Sequence, residues 1–220
     1  MLTQDKIEFF KNKIQEVIDV VPNFKNAIVS FYSNNTKDLF NLVCSFEAEN
    51  TRNCLEHNFL FSVGYSKLVL LIDEGAGFEY VVKFPFKKIN SCSCLETDYC
   101  EKELNTYRKI KEDCPEILNL FAECTSFEME IGNIRIPIYL MERVDVDEDI
   151  VVSYSKEGEM DSSKLVNNFF ESTLSEEDYP IYFTMRDFLN ENDINDIHEG
   201  NVGLRKDWTP CIIDYSGYGY

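Results

Sequence analysis

The sequence predicts an α+β protein built from two lobes. Helical patterns occupy the first part of the chain, short apolar strands surround one helix in residues 58–142, and mostly helical segments come after them. Strands and helices that occur in separate runs along a chain are typical of α+β folds. We therefore divide the sequence into an N-terminal helical extension over 1–57, a strand-rich lobe over 58–142 and a second, mostly helical lobe over 143–220.

The N-terminal extension is predicted to hold two helices. In residues 5–21 apolar side chains recur at three- and four-residue steps, and Pro22 ends the pattern. Residues 24–31 predict a second, shorter helix, whereas residues 39–46 fit either a strand or a helix. We interpret the extension as a scaffold that packs on the rest of the chain.

The strand-rich lobe is predicted from short apolar and aromatic runs that glycine-containing breaks separate. A charged segment with helical apolar spacing, 98–112, lies between its two groups of strands. The last two strands are joined at Gly132-Asn133. The predicted strands are 59–63, 68–72, 78–84, 118–121, 127–131 and 135–141.

The second lobe begins with an acidic, polar segment over 145–163, which is the best candidate for a linker or a mobile loop. Helical spacing then predicts helices over 163–172 and 176–191. A polar, glycine-bearing segment over 192–203 is predicted to be a loop, and an apolar stretch lies between it and Asp214.

The charge of the chain argues against several classes of function. The 220 residues carry 40 acidic and 21 basic side chains, which gives a formal net charge of −19. Nucleic acids and anionic membranes both select basic surfaces, so neither is an expected partner. The sequence shows no basic and then apolar leader and no apolar run long enough for a membrane span. We expect a soluble, cytoplasmic protein.

The eight cysteines are interpreted as reduced thiols. No Cys-x2-Cys pair occurs, and the nearest metal-like set, Cys54 and His57 with Cys92 and Cys94, fits no standard zinc module. A reduced cysteine packs as a small hydrophobic side chain. Packing in the core or on the surface is also the default interpretation of Trp208, the one tryptophan of the chain.

The last thirty residues carry the side chains that point most directly to chemistry. Asp196-x-His198-x-x-Asn201 lies in the polar segment, and Asp214 stands thirteen residues after Asn201 at the end of an apolar stretch. Polar groups at the ends of short buried strands are commonly functional, because the rigid strand aims them.

This pattern resembles the catalytic loop and the metal-binding Asp of the protein-kinase-like superfamily. The form Asp-x-His-x-x-Asn is closer to small-molecule kinases, such as aminoglycoside and choline phosphotransferases, than to His-Arg-Asp protein kinases. It is also similar to short kinase-like proteins of bacteria and bacteriophages. The resemblance implies that Asp196 orients an attacking hydroxyl or accepts its proton. It implies Asn201 and Asp214 as Mg²⁺ ligands, which suits their hard oxygen atoms, and His198 is interpreted as a brace for the loop.

A lysine and a glutamate upstream extend the resemblance. Tyr80-Val81-Val82-Lys83-Phe84 resembles the strand whose Lys binds the ATP phosphates, and Glu103 stands twenty residues later, where a Glu partner is expected. The alternatives are that Lys83 is an ordinary surface lysine and that Glu103 is a solvated helix residue, with Glu101 as the partner or with none.

Two further positions belong to the same resemblance, which covers about residues 58–216. Residues 138–143 resemble the fifth strand and the hinge that grips adenine, and this gives Glu142 a role in cofactor binding. Gly64 is the one glycine kept at the position of the Gly-rich loop that covers the nucleotide.

The resemblance implies a two-lobe, protein-kinase-like fold with a truncated C-terminal lobe, and ATP and Mg²⁺ as cofactors. The nucleotide is expected in a cleft between the 58–142 sheet and the 192–216 loops. The implied function is phosphoryl transfer to a hydroxyl acceptor of unknown identity. The alternative is a pseudokinase that binds and regulates a partner protein without phosphoryl transfer. The thinned glycine loop and the few residues after Asp214 favour this alternative.

Overall fold

The computed structural model describes residues 3–21, 23–32, 59–63, 67–72, 80–85, 98–146, 151, 153 and 161–217. Within these residues it confirms the α+β class, with a five-stranded sheet, a two-stranded sheet and several α-helices. The chain divides into two compact units, Met1–Lys102 with Cys124–Met141 and Glu103–Glu123 with Glu142–Tyr220. Several predicted features lie outside the described residues: the 39–46 segment, Gly64, His57, most of 145–163, Cys44, Cys54, Cys92 and Cys94.

The two helices predicted near the N-terminus are confirmed in the first unit. Helix α1 spans Gln4–Val20 and α2 spans Phe24–Tyr32. The side chain of Thr3 caps α1, since its hydroxyl oxygen accepts the backbone N–H of Lys6 at 3.4 Å. The apolar face predicted by the spacing is the buried one.

The first unit contains a five-stranded sheet, in which five of the six predicted strands are confirmed. In spatial order the strands run β1-β2-β3-β5-β4, and the pairs β1–β2, β2–β3 and β4–β5 are antiparallel. Gly132 joins β4 to β5 with a φ of +67°, a backbone conformation that favours glycine. The strands are β1 Phe59–Val63, β2 Lys67–Ile72, β3 Tyr80–Pro85, β4 Cys124–Ile131 and β5 Ile134–Glu142.

The N-terminal helices and the sheet share one hydrophobic core. Phe10 and Ile14 of α1 and Phe24 of α2 are buried with Leu70 of β2 and Phe84 of β3. The rings of Phe24 and Phe84 meet edge to face, with centroids 5.5 Å apart. In the first unit, α1 and α2 are therefore part of the packing that holds the sheet.

A partly buried carboxylate begins the helix that carries Glu103. Helix α3 spans Tyr99–Asp113, close to the predicted 98–112. Asp98 caps it by accepting the N–H of Glu101 at 3.0 Å, and it also accepts the hydroxyls of Tyr32 at 3.2 Å and Tyr139 at 3.0 Å. Burial raises the pKa of Asp98 and of both tyrosines.

In the second unit the predicted strand over 118–121 is wrong. Pro115–Leu120 forms a 3₁₀ helix instead, and only Phe121 is extended. Pro115 fixes φ at the first helical position, and the buried Ile117 and Leu120 lie three residues apart, which is the repeat of a 3₁₀ helix.

The rest of the second unit is helical up to a short hairpin. Helices α4, Ser162–Thr173, and α5, Tyr179–Glu191, confirm the two predicted helices. A 3₁₀ turn and strand β6, Val202–Leu204, lie in the segment predicted as loop, and β6 pairs with β7, Pro210–Ile212. Among the described helices, none combines the length and the apolar character that crossing a membrane requires.

The described cysteines are free thiols, as interpreted from the sequence. Cys100, Cys124 and Cys211 are buried, and Cys114 is partly exposed. Burial raises the pKa of Cys211 to about 12, so this thiol is protonated at neutral pH.

Two leucines on neighbouring strands test the core. Leu70 in β2 is fully buried, whereas Leu60 in β1 is 45% exposed. We expect Leu70→Ala to lower the free energy of unfolding by about 2–5 kcal/mol, because it removes buried methyl groups and leaves a cavity. The control Leu60→Ala should lower it by less than about 1 kcal/mol. Urea denaturation measures both, and equal losses would contradict the assigned core.

Candidate functional site

A short hairpin in the second unit brings the two predicted metal ligands to one end. Strands β6 and β7 pair antiparallel with Val202 opposite Ile212. Asn201 precedes β6 and Asp214 comes after β7, so both leave the hairpin at the same end. One more hydrogen bond closes this end, since the N–H of Ile213 donates to the carbonyl oxygen of Asn201 at 2.9 Å.

The side chain of Asn201 ties the loop of Asp196 to this end of the hairpin. Its amide nitrogen donates to the backbone carbonyl oxygen of Asp196 at 2.7 Å. Asn201 is buried and Asp196 is partly exposed. Because the amide nitrogen is used in this bond, the amide oxygen is the atom of Asn201 left for a cation.

Asp214 is held by the residues next to it in the chain. Its Oδ1 accepts the hydroxyl of Ser216 at 3.1 Å. Tyr215 is fully buried, and its hydroxyl donates to the carbonyl oxygen of Ala122 at 2.8 Å. The ring of Tyr215 also meets that of Phe121 edge to face at 5.3 Å. The backbone around Asp214 is therefore anchored on both sides of a half-buried carboxylate.

The contacts of His198 support its interpretation as a brace. Its Nδ1 accepts the N–H of Gly200 at 3.1 Å, and its carbonyl oxygen accepts the N–H of Asn201 at 2.9 Å. These bonds close the 3₁₀ turn Glu199–Asn201, which sets the position of Asn201 before β6.

Glu199 also helps to hold the candidate catalytic loop in place, although sequence analysis did not single this residue out. Its carboxylate accepts its own backbone N–H and the hydroxyl of Ser162, and these bonds hold the pKa of Glu199 below its usual range. Ser162 is the first residue of α4, so the bond ties the candidate catalytic loop to that helix. The other oxygen, Oε2, is buried and finds no hydrogen-bond partner among the described residues.

Lys83 and Glu103 are both buried, so the alternatives that placed them in solvent are wrong. Lys83, in β3 of the first unit, is 6% exposed, and Glu103, in α3, belongs to the second unit and is fully buried. Glu101 is exposed. Burying a charge is costly unless it is paired and hydrogen-bonded. The positions of Lys83 and Glu103 therefore require compensating contacts in the folded chain.

The carboxylate of Glu142 is engaged in a paired contact within the second unit. Its Oε1 accepts Nε of Arg205 at 2.7 Å and its Oε2 accepts Nη2 of the same guanidinium at 3.0 Å. Oε2 also accepts the backbone N–H of Glu123 at 3.0 Å. Its backbone N–H also donates to the carbonyl oxygen of Glu123 at 2.7 Å, so the carboxylate and the N–H of Glu142 are both engaged within the second unit.

Arg205 is the central anchor of the hairpin and was missed in the sequence. Beyond Glu142, its guanidinium donates to the carbonyl oxygens of Asn119 at 2.6 Å and Phe121 at 2.9 Å. Its partners are 63 to 86 residues away along the chain, so no local pattern marks it.

Both edges of the hairpin are also covered. Phe121 bridges to Ile212 on the β7 edge, and Asp145 bridges to Leu204 on the β6 edge. The second approach is so close that a Cβ on Gly203 would lie 2.4 Å from the carbonyl oxygen of Asp145. Only glycine fits this position of β6.

Comparison with known proteins adds little to these observations. No protein-family model and no curated protein match the chain. Eight chains of solved structures match, among them WbdD in a co-crystal structure with the kinase inhibitor LY294002, at 17% identity and a TM-score of 0.36 over 72% of this chain and 32% of that one. A structure of the bifunctional kinase-methyltransferase WbdD matches at 17% identity and 0.34, over 69% and 30%. The chain thus spans about a third of the length of these WbdD chains. Structural similarity with such TM-scores is too weak to assign a fold or a function.

Replacement of the anchor tests the support of the hairpin. We expect Arg205→Met to lower the free energy of unfolding by about 3 kcal/mol, because it leaves the Glu142 carboxylate unpaired and two carbonyl groups without their donor. The control Arg108→Met removes an exposed guanidinium from α3 and should change stability by less than about 0.5 kcal/mol. Urea denaturation measures both, and a neutral Arg205→Met would show that the pair is not an anchor.

Proposed function

We propose that this chain is an ATP- and Mg²⁺-dependent phosphotransferase of the protein-kinase-like superfamily, acting on a hydroxyl acceptor. One observation carries the proposal. At one end of the β6–β7 hairpin, the Asn201 amide donates to the backbone of Asp196, and the backbone N–H of Ile213, the neighbour of Asp214, donates to that of Asn201. These two bonds hold the backbones of the three motif positions near each other, which supports the proposal.

The donor set at this end suits Mg²⁺. The Asn201 amide oxygen and the Asp214 carboxylate are hard oxygen ligands, and Mg²⁺ in phosphoryl-transfer sites takes one or two protein groups beside phosphate oxygens and water. The described part of the chain contains no group of three or more His, Cys, Asp and Glu side chains placed to hold a metal ion. A site that relies on phosphate oxygens for the remaining ligands does not need one. When bound, the ion neutralises charge on the phosphates.

We assign to Asp196 the role of binding the acceptor hydroxyl. The bond from Asn201 fixes its backbone, and its carboxylate then orients the hydroxyl and accepts its proton as the new P–O bond forms and the bond from the γ-phosphorus to the leaving ADP breaks. Phosphoryl transfer depends mostly on positioning and on stabilisation of charge, so a braced loop with few polar groups is sufficient machinery.

We assign to Lys83 the binding of the α- and β-phosphates of ATP. Glu103 is assigned the role of positioning the Lys83 ammonium. A triphosphate is strongly anionic, and the chain already carries a net charge of −19, so its binding needs a fixed cation. Burial of Lys83 restricts its ammonium more than a surface position would. The two-lobe kinase-like fold with a reduced C-terminal lobe belongs to the same proposal.

Turnover of ATP distinguishes an enzyme from the pseudokinase alternative. Asp196→Asn and Asp214→Asn should each lower the rate of phosphate release from Mg·ATP at least about a hundredfold, because one removes the proton acceptor and the other a metal ligand. The control Asp187→Asn, an exposed residue of α5, should leave the rate unchanged. Equal, background-level rates in all four proteins would contradict an active phosphotransferase.

Binding of the nucleotide is tested separately by calorimetry with Mg·ATP. Lys83→Met keeps the apolar stem but removes the cation, so the affinity should fall at least about tenfold. The control Lys111→Ala removes an exposed cation from α3 and should have little effect. Circular dichroism checks that both variants fold. An unchanged affinity for folded Lys83→Met would refute the assigned nucleotide site, whereas tight binding without turnover in wild type would support the pseudokinase.

A further inference from the structure

A cavity of about 320 Å³ opens at the turn of the β6–β7 hairpin, within the second unit. Three segments enclose it: the 3₁₀ helix Pro115–Leu120, the connection from α4 to α5, and the hairpin turn. Its walls combine apolar, hydroxyl and carboxylate side chains, and none of the lysines, arginines and histidines that the structure describes lines it.

The cavity lies at the opposite end of the hairpin from the candidate catalytic site. Asn201 and Asp214 leave one end of the β6–β7 ladder, whereas Asp207, Trp208 and Thr209 line the cavity at the other. Three residues of strand separate the two ends by about 10 Å. A ligand in this cavity is therefore distinct from the phosphoryl acceptor, and the inference does not depend on the proposed function.

Three carboxylates line the cavity, and each of them accepts a hydrogen bond from a neutral donor. Glu116 accepts the thiol of Cys114 at 3.4 Å, Asp178 accepts the hydroxyl of Ser175 at 2.6 Å, and Asp207 accepts the N–H of Thr209 at 3.0 Å. Each of these bonds leaves the formal charge of its carboxylate in place. Arg205, at the start of the turn, is itself engaged by Glu142.

The sequence expectation that Trp208 packs by default does not explain its position. Trp208 is 71% exposed at the rim of the cavity. Its φ is +69°, in the left-handed region of the backbone that residues other than Gly and Asn rarely adopt. The turn imposes this conformation, since Trp208 N–H donates to the carbonyl oxygen of Arg205 at 2.9 Å and Arg205 N–H donates to that of Thr209 at 3.0 Å. A large indole is thus presented to solvent where a small residue would suit the backbone better.

An aromatic face, three carboxylates and an apolar floor together select one kind of ligand. The indole attracts a cation to its face, the carboxylates attract it by charge, and Leu120, Leu174 and Ile181 contact an apolar body. A metal ion alone would leave the indole and the leucines unused. We propose that this cavity binds a small organic cation, an ammonium or guanidinium group on an apolar body, and its volume is at the lower end of the range for small-molecule sites.

The single tryptophan provides the first measurement. Fluorescence of the full chain excited at the indole should change saturably on titration with 2-phenylethylamine, because the ligand covers Trp208. Two molecules of matching shape serve as controls, neutral 2-phenylethanol and anionic phenylacetate, and neither should saturate the signal. Added salt should weaken binding of the amine, since charge contributes to it.

Calorimetry with 2-phenylethylamine then tests the residues. Trp208→Asn keeps a residue that tolerates the left-handed conformation, so the protein should remain folded while its affinity falls about tenfold or more. Asp207→Asn keeps an acceptor for Thr209 N–H and removes only the charge, so the affinity should fall about threefold or more. The control Glu171→Gln removes an exposed charge of α4 outside the cavity and should leave the affinity unchanged.

Three outcomes would overturn the proposal. In the first, all three probe molecules bind equally well. In the second, folded Trp208→Asn binds 2-phenylethylamine as tightly as wild type does. In the third, a lysine-rich peptide binds but 2-phenylethylamine does not. The last result would identify the turn as a docking surface for a basic protein segment instead.

Discussion

Backbone hydrogen bonding between β6 and β7 is the constraint on which the candidate site depends. It places residues 201 and 213 opposite each other, so that Asn201 and Asp214 share one end of the hairpin. A ladder of three residues on each strand is marginal by itself. It is stabilised by bridges on both edges and by the buried Tyr215 next to Asp214. Side chains far apart in sequence are thus aimed by a small and well-supported frame.

Charge is used sparingly inside this acidic chain. Glu142 and two carbonyl groups use four of the five N–H donors of the Arg205 guanidinium, so it serves the frame rather than a ligand. The Lys83 ammonium is buried in the other unit. The chain has a net charge of −19, but salt screens the acidic groups on its surface. Buried cations are screened much less, so each of them contributes more to the local electrostatic potential than an exposed charge does. Three acidic side chains, Glu116, Asp178 and Asp207, also line the cavity at the turn end of the hairpin.

Local patterns in the sequence were sufficient for most of the fold. The helices over Gln4–Val20 and Ser162–Thr173 have strong three- and four-residue periodicity, and β4 and β5 are joined by a glycine turn. The strand predicted over 118–121 fails because an apolar run fits both a strand and a 3₁₀ helix, and Pro115 decides between them. Strand β6 has only three residues, which is too short for any periodicity to mark it.

A contact within the candidate site could be expected where its residues are close in sequence. Asp196 and Asn201 are five residues apart, and the resemblance of their motif to a catalytic loop singled them out. Arg205 and the Tyr139–Asp98 contact were not predictable, since their partners are 63 and 41 residues away and only the folded chain brings them together. For Lys83 and Glu103, burial excludes the solvent-exposed positions that spacing had left open. The exposed Trp208 carried no signal in the sequence beyond its being the only tryptophan.

The proposed function requires that the end of the β6–β7 hairpin at Asn201 and Asp214 holds the metal ion of a nucleotide complex. Crystals of the chain grown with Mn²⁺ and a non-hydrolysable ATP analogue give the most direct measurement, because anomalous scattering locates the ion. The account predicts a peak within about 2.0–2.4 Å of the Asn201 amide oxygen and an Asp214 carboxylate oxygen. A bound nucleotide whose metal ion lies away from both residues would contradict it.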